Sequence, residues 1–224
     1  MTSSTSDIAF TPAVKALQER NGSRRAYARM EHNGGWPSMV TADLAAFIAK
    51  RDSFYIATAN AQGQPYIQHR GGPAGFLRVL DDRTLAFADF RGNRQYITAG
   101  NLAENNRAFL FLMDYENQHR IKIWGHAKVV EGDAALTARV TFADYRARPE
   151  RVIVFEIDAW DANCPQHIPR LIAADKVARL FSDRDARIAE LEAELVRLRN
   201  IVPKSESVTS PMDPPVSSRQ PIPR

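Results

Sequence analysis

The sequence predicts a mainly β protein with helices, an α+β fold whose strands form an antiparallel barrel. The central part of the chain holds roughly six or seven short apolar runs with strand-like character. Most of the segments between these runs are too short for the crossover that a parallel sheet requires. Neighbouring strands are therefore expected to be antiparallel and to close into a barrel.

Two helices are expected before the strands. Thr11 and Pro12 open a helix predicted over Pro12–Arg20, because proline suits the first helical position. Thr41 is the expected N-cap of a second helix over Ala42–Arg51, whose apolar residues share one face. Residues 1–10 are expected to be a flexible N-terminus.

The strands are separated by turn signals and by two further helices. Residues typical of hairpin turns occupy Asn60–Gly63 and Asp81–Arg83. The helices are predicted over Gln95–Glu104 and Ala134–Arg146. The predicted strands are Phe54–Ala59, Pro65–His69, Gly75–Leu80, Thr84–Asp89, Ala108–Asp114, Arg120–Val130 and Val152–Trp160.

A separate helix with coiled-coil character is predicted over Phe181–Val202. Its apolar residues recur at heptad spacing, interrupted by Arg184. In a parallel pair of such helices, charged residues of opposite sign would face each other between the two copies. A seam of roughly two to three heptads is marginal alone, so it would reinforce a dimer formed elsewhere. Docking of the helix on its own barrel is the alternative.

Length and composition limit the classes of function. The 224 residues suit one main domain, predicted over residues 11–180, followed by the helix 181–202 and a disordered, proline-rich and serine-rich tail at 203–224. The formal charge is only +4 and the basic residues are scattered, so no nucleic-acid partner is expected. No apolar run approaches the ~18 residues of a membrane helix. We expect a cytoplasmic protein that does not contact membranes.

The sequence does not contain the motifs of several common catalytic and metal sites. The five histidines never occur four residues apart on a helix, and Cys164 is the only cysteine, so no metal site is expected. The absence of Gly-x-Ser-x-Gly and of Gly-x-Gly-x-x-Gly argues against a hydrolase triad and against a Rossmann domain. Cys164 itself is expected to be an inert thiol.

Two arginine-bearing segments are the most informative feature of the chain. They are Gln68–Pro73 and Phe90–Gln95, and each follows a predicted strand. Arginine beside small residues suits close backbone approach to a phosphorylated ligand. The second segment also opens the helix predicted from Gln95, whose N-terminal amides would point at the same anion. The alternative is a pair of glycine turns with solvated arginines.

The strand predicted over Arg120–Val130 adds a basic and aromatic face. Arg120, Lys122 and Trp124 alternate with apolar residues, so their side chains share one side of the strand. This face could place a cation near the same anion and an aromatic ring near a flat ligand. An exposed basic face covered by tryptophan is the alternative interpretation.

In their order along the chain, these motifs resemble those of the pyridoxamine 5'-phosphate oxidase-related, FMN-binding split-barrel family, especially its small flavin-nucleotide-binding branch. The resemblance covers residues 41–170. It is carried by Arg70-Gly71 with Pro73-Ala-Gly75-Phe76, by Gly92-Asn93-Arg94, by Lys122-Ile-Trp124-Gly125, and by Cys164-Pro165 with Arg170. The resemblance implies a split β-barrel of the FMN-binding type.

The resemblance also implies a set of cofactor-binding residues. Arg70 and Gly71 would lie beside the flavin, while Asn93 and Arg94 would bind the FMN phosphate. Gln95 stands where the oxidases of this family place a phosphate-binding lysine, and Arg91 or Lys122 could replace that charge. The full predicted set is Gln68, His69, Arg70, Gly71, Arg91, Asn93, Arg94, Gln95, Arg120, Lys122, Trp124 and Arg170.

The function that the resemblance implies is that of an FMN-dependent oxidoreductase with a small-molecule redox partner. A homodimer with FMN at the subunit interface is expected. The chain lacks the C-terminal Arg-Leu-x-Pro segment that binds pyridoxal phosphate in the true oxidases, so their named reaction is not carried over. A flavin or haem carrier or sensor without turnover is the alternative. No catalytic residue is assigned.

Overall fold

The computed structural model describes residues 4–163 and 165–201 of the chain. Cys164, Val202 and the predicted tail at 203–224 lie outside the described residues. The helices are α1 (Pro12–Arg20), α2 (Arg24–His32), α3 (Ala42–Ala49), α4 (Ile97–Glu104), α5 (Ala134–Val140) and α6 (Ala174–Ile201), with a 3-10 helix at Thr5–Ile8. The strands are β1 (Ser53–Ala59), β2 (Pro65–Gly71), β3 (Arg78–Val79), β4 (Thr84–Phe90), β5 (Arg107–Asp114), β6 (His119–Val130) and β7 (Pro149–Asn163).

The seven strands form one antiparallel sheet in the order β2-β1-β5-β6-β7-β4-β3. The sheet curls until its two ends meet. Arg70 on β2 forms an ion pair with Asp89 on β4, although four strands separate β2 from β4 in the sheet. Within the described residues, no strand pairing joins β2 to β3. The barrel is therefore split at this line, and the predicted fold class is confirmed.

The core of the barrel follows from the alternation of the strands. Every second residue points inwards, so Phe54 and Ile56 on β1 face the same interior as Leu110 and Leu112 on β5, and all four are buried. Gly125 marks the register shift between β6 and β7. A Cβ atom at this position would lie 1.9 Å from the backbone oxygen of Glu156, so only glycine fits.

Most predicted elements are present, but several differ in extent. The helix α3 ends two residues earlier than predicted, at Ala49, and α5 ends at Val140 instead of Arg146. The strand predicted over Gly75–Leu80 is reduced to the two residues of β3. The helix α6 begins at Ala174, seven residues before Phe181.

The N-terminal segment holds more regular structure than its composition indicated. The 3-10 helix Thr5–Ile8 occupies part of the terminus that was expected to be flexible, and Ser6 within it is fully buried. The helix α2 was not predicted, because its sequence is strongly polar and none of its residues is buried. Its position next to α1 is thus a result of tertiary packing.

The chain divides into two compact units, residues 1–171 and residues 172–224. The first unit contains the whole sheet and α1 to α5. The described part of the second unit is α6 with its short leading segment, and none of the α6 residues is buried. None of the described helices is both long enough and apolar enough to cross a membrane.

Candidate functional site

The two arginine-bearing segments meet in one cleft, which we call the arginine cleft. Its empty space, including open solvent, is about 430 Å³. One wall is the end of β2 and the other is the loop between β4 and α4. Five of the predicted site residues line it: Gln68, Arg70, Asn93, Arg94 and Gln95. Segments more than twenty residues apart in sequence thus contribute to one site.

Arg70 is the most buried cation of the arginine cleft. Its side chain is 13% exposed and its Nη1 atom is paired with Asp89 Oδ1. The guanidinium carbon also lies 5.8 Å from the centroid of the Phe87 ring. The Nε atom of Arg70 is buried and donates no hydrogen bond to any described residue. The Nε atoms of Arg78 and Arg120 are buried in the same way, so this atom alone does not identify a ligand site.

The loop between β4 and α4 has an unusual backbone. Arg94 and Tyr96 have φ angles of 61° and 57°, in the left-handed region that residues with side chains rarely adopt. The Gln95 amide donates to Asn93 Oδ1 at 3.3 Å and helps to hold the turn. Strain of this kind is concentrated at ligand-binding sites, where the surrounding structure maintains it.

Arg94 presents its charge at the surface of the arginine cleft. Its side chain is exposed, and its Nε atom donates to the Tyr96 hydroxyl at 2.9 Å. This hydrogen bond raises the pKa of Arg94, so the guanidinium remains charged. Arg94 is therefore a second cation in the arginine cleft, besides Arg70, that could donate hydrogen bonds to an anion.

The start of α4 differs from the prediction. The helix begins at Ile97 and not at Gln95, because the left-handed conformation of Tyr96 separates the loop from the helix. The first-turn residues Ile97, Thr98 and Ala99 nevertheless line the arginine cleft. The Thr98 hydroxyl donates to Gln68 Oε1 at 2.7 Å and joins the two walls.

Two charged residues at the start of β7 were missed by the sequence analysis. Glu150 lines the arginine cleft, and the carboxylate of Asp89 lies 3.4 Å from Arg151 Nε. The register of β4 and β7 sets Asp89 directly opposite Arg151. Only a known strand pairing could have revealed this, since 62 residues separate the two positions in sequence.

Four of the predicted site residues lie away from the arginine cleft, on the opposite side of the sheet. They are His69, Arg120, Lys122 and Trp124. His69 pairs with Tyr55 across β1 and β2, whereas Gln68 and Arg70 pair with the core residues Ile56 and Phe54. Since successive side chains of a strand point to opposite faces, His69 cannot reach the cleft beside its neighbours. Within one chain, Arg120, Lys122 and Trp124 therefore do not join Arg70 in the arginine cleft, and their assignment to a flavin site stays a prediction.

The opposite side of the sheet is an aromatic surface, which we call the outer face. Lys122 Nζ lies 2.9 Å from Asp161 Oδ2, and Trp124 stacks on Trp36 with 4.7 Å between ring centroids. Lys122 is thus paired with a carboxylate of the same chain, and one ring face of Trp124 is covered by Trp36. The outer face is defined by Tyr55, Ile67, Phe109, Phe111 and Trp124, all partly or fully exposed to solvent.

A second concavity opens on the outer face. Its empty space is about 1200 Å³, including open solvent, and apolar side chains such as Phe109 and Trp124 line it. His126 Nδ1 lies 2.8 Å from Asp158 Oδ2 at its rim. The larger volume does not make it the phosphate site, because one arginine, Arg107, lines it, whereas Arg70 and Arg94 both line the arginine cleft.

The three remaining predicted residues lie at the margins. Gly71 ends β2, and Arg91 is half-exposed with its Nε atom 3.8 Å from Glu150 Oε1. Arg170 is exposed and does not line the arginine cleft. Among the residues that the structure describes, no group of three or more histidine, cysteine, aspartate or glutamate side chains could hold a metal ion.

Comparison with known sequences decides the family. Residues 40–164 match the profile described as "Pyridoxamine 5'-phosphate oxidase", which is more than half of the chain. The chain belongs to the pyridoxamine 5'-phosphate oxidase family. The match spans β1 to β7, with the complete arginine cleft, and confirms the resemblance seen in the motifs. No curated protein matches the chain significantly.

Several solved structures are similar to this family member at low sequence identity. HupZ of Group A Streptococcus is 21% identical, with a TM-score of 0.47, and covers 60% of this chain and 100% of its own. A putative pyridoxamine 5'-phosphate oxidase from Lactobacillus delbrueckii is 19% identical, with a TM-score of 0.44, and covers 56% of this chain and 95% of its own. An FMN-binding protein from Syntrophomonas wolfei is 12% identical, with a TM-score of 0.43, and covers 65% of this chain and 97% of its own.

Proposed function

We propose that this family member binds FMN in the arginine cleft and is an oxidoreductase that acts on a small molecule. The observation that carries the proposal is the convergence of Arg70 and Arg94 on one cleft, which the first turn of α4 also lines. Two guanidinium groups around a cleft suit a terminal phosphate dianion. Membership of the family supports flavin as the group that carries this phosphate.

The residues of the cleft fit a phosphate in number and type. Arg70 and Arg94 supply charge, and the first-turn amides of α4 add donors at a helix N-terminus. Asn93 holds the loop through Gln95, so its role is mainly to shape the site. Gln95 adds no charge, and the carboxylates of Asp89 and Glu150 oppose an anion unless the arginines stay between them and the phosphate.

The protein's own contribution to the chemistry is to bind and orient. FMN supplies the redox chemistry when it is bound, and the surrounding charges and hydrogen bonds tune it. None of the residues lining the arginine cleft is assigned as a proton donor or acceptor.

The proposed assembly is a homodimer with FMN at the subunit interface. The outer face supports this because it exposes a contiguous aromatic and aliphatic surface, with Ile67 63% exposed. Exposed apolar surface of this kind marks interaction sites. In such a dimer, Lys122, Trp124 and the other outer-face residues of the predicted set could approach a flavin only from the second subunit.

The phosphate assignment is tested by comparing FMN with riboflavin, which lacks the phosphate. Arg94→Ala should weaken FMN binding by about 1.5–3 kcal/mol, or roughly 10- to 150-fold, and leave riboflavin binding unchanged. The control is Arg139→Ala, an exposed arginine on α5 outside the cleft. Fluorescence titration gives both affinities. Equal losses for the two ligands, or no loss for FMN, would refute the assignment.

Turnover separates an oxidoreductase from a carrier. With an electron donor under anaerobic conditions, an oxidoreductase should lose its flavin absorbance and regain it with an acceptor over repeated cycles, faster than free FMN. A carrier would bind flavin and show no such acceleration. A haem carrier is less well supported, because none of the described residues that line the arginine cleft is a histidine, cysteine or methionine.

A further inference from the structure

The helix α6 carries a longer heptad seam than the sequence prediction described. Its apolar residues are spaced alternately by four and three residues from Val177 onwards, so the seam begins one layer before Phe181. Within the described residues the seam consists of Val177, Phe181, Arg184, Ile188, Leu191, Leu195 and Leu198. Six of these seven positions are apolar, and Phe181, Ile188, Leu191, Leu195 and Leu198 are exposed by 43–53%.

We infer that α6 pairs with α6 of a second copy of this chain as a parallel, in-register two-stranded coiled coil. The seam lies outside residues 40–164, which match the family, and the inference is independent of flavin binding. A period of 3.5 residues is the requirement for two helices to keep one seam in contact along their length. Leucine at the d positions Leu191 and Leu198 is typical of dimers.

The charges beside the seam select the parallel orientation. In a parallel pair, Arg187 faces Glu192 of the second copy, and Glu194 faces Arg199 of the second copy. Both contacts are attractive and each occurs twice by symmetry. In the antiparallel pair that sets Ile188 against Leu191, Arg187 would face Glu194, which is attractive, but Asp185 would face Glu192, which is repulsive. The parallel pair has only the attractive contacts.

Arg184 is the one charged residue in the seam, and its guanidinium contacts an aromatic ring and a carboxylate of the same helix. Its guanidinium carbon lies 4.8 Å from the centroid of the Phe181 ring, and its Nη2 atom lies 2.6 Å from Asp185 Oδ1. Asp185 occupies the e position that flanks this layer. The Arg184 layer therefore weakens the coiled coil locally but leaves four apolar layers beyond it.

A disulfide cross-link in the full chain tests the inference. Leu198→Cys, in a Cys164→Ser background, places two thiols at one seam position of a parallel pair, within the Cα separation that a disulfide needs. In the antiparallel pair the same residues would be roughly 25 Å apart along the axis. The matched control is Ala193→Cys, which lies on the side of α6 opposite the seam.

We expect rapid oxidative cross-linking of Leu198→Cys, at least tenfold faster than that of Ala193→Cys, on non-reducing gels. Adding Leu191→Lys should abolish the difference. Equal rates, or no cross-link in either variant, would overturn the inference. FMN binding is measured on the same samples, so a protein that cross-links without flavin would leave the coiled coil intact and refute only the proposed function.

Discussion

At the scale of single residues, Asp89 is the centre of the charge network beside the arginine cleft. It pairs with Arg70 and lies 3.4 Å from Arg151, and both arginine side chains are only 13% exposed. Arg151 is also 3.2 Å from Glu131 and 3.3 Å from Glu150. Removing Asp89 leaves Arg70 without its carboxylate, whereas Arg151 keeps Glu131 and Glu150. A buried guanidinium that loses its partner costs more than the loss of a surface pair.

We therefore expect Asp89→Asn to lower the free energy of unfolding by about 3 kcal/mol, because the largely buried guanidinium of Arg70 loses its carboxylate. Urea unfolding without FMN measures the change. Asp185→Asn is the control, since its pair with Arg184 is exposed and its loss should cost less than about 1 kcal/mol. Similar costs for the two variants would contradict a buried network.

At the scale of elements, a single ion pair ties the end of α3 to β5. Arg51 Nη2 lies 2.9 Å from Asp114 Oδ2, and its Nη1 donates to the Met113 carbonyl at 3.0 Å. Burial alone raises the pKa of Asp114, but hydrogen bonds from Asn117 and the Arg51 guanidinium outweigh it and hold the pKa below its usual value. The ionised carboxylate is therefore the form that stabilises the fold.

This pair gives the protein an acid-sensitive contact. Because the folded-state pKa of Asp114 is below the unfolded value of about 3.9, its contribution is complete above that pH and is lost as the pH falls through the folded-state pKa. Asp114→Asn should cost about 1.5–3 kcal/mol at pH 7, and the difference from the wild type should shrink below about pH 4. Urea unfolding at several pH values tests this. Asp144→Asn, an exposed control, should show neither effect.

At the scale of the whole molecule, the two sides of the sheet have separate roles. One end of the split barrel carries the arginine cleft, while the outer face exposes aromatic residues that a second subunit would cover. The proposed dimer places both beside the flavin. The edge strands allow a direct test, because β2 carries Ile67 on the outer face and β3 carries the exposed Val79 at the other end of the sheet.

In a chain truncated before α6, Ile67→Lys should convert the dimer formed through the outer face into a monomer, because a lysine charge would have to be buried in an apolar contact. Val79→Lys introduces the same charge on the other edge strand and should leave the dimer unchanged. Light scattering gives the mass of each variant. If Ile67→Lys remains a dimer with full flavin content, the outer face is not the interface.

The sequence by itself determined the antiparallel barrel, because the patterns that predict it lie within short stretches of the chain. Hairpin turns such as Asn60–Gly63 and the alternation within β1 and β5 depend only on neighbouring residues. The convergence of Gln68–Pro73 with Phe90–Gln95 was also predictable from their strand-ending positions. Helix ends were less certain, as α4 shows, because the backbone of Tyr96 depends on the loop that surrounds it.

The tertiary structure alone decided which predicted residues share a site. Strand alternation assigned Arg70 to the cleft and His69 to the outer face, although they are adjacent in sequence. The pairing of β4 with β7 brought Arg151 to Asp89, which no local pattern contains. The sequence specifies residue types and periods, but contacts between distant strands depend on register, and register is settled only when the whole sheet closes around its core.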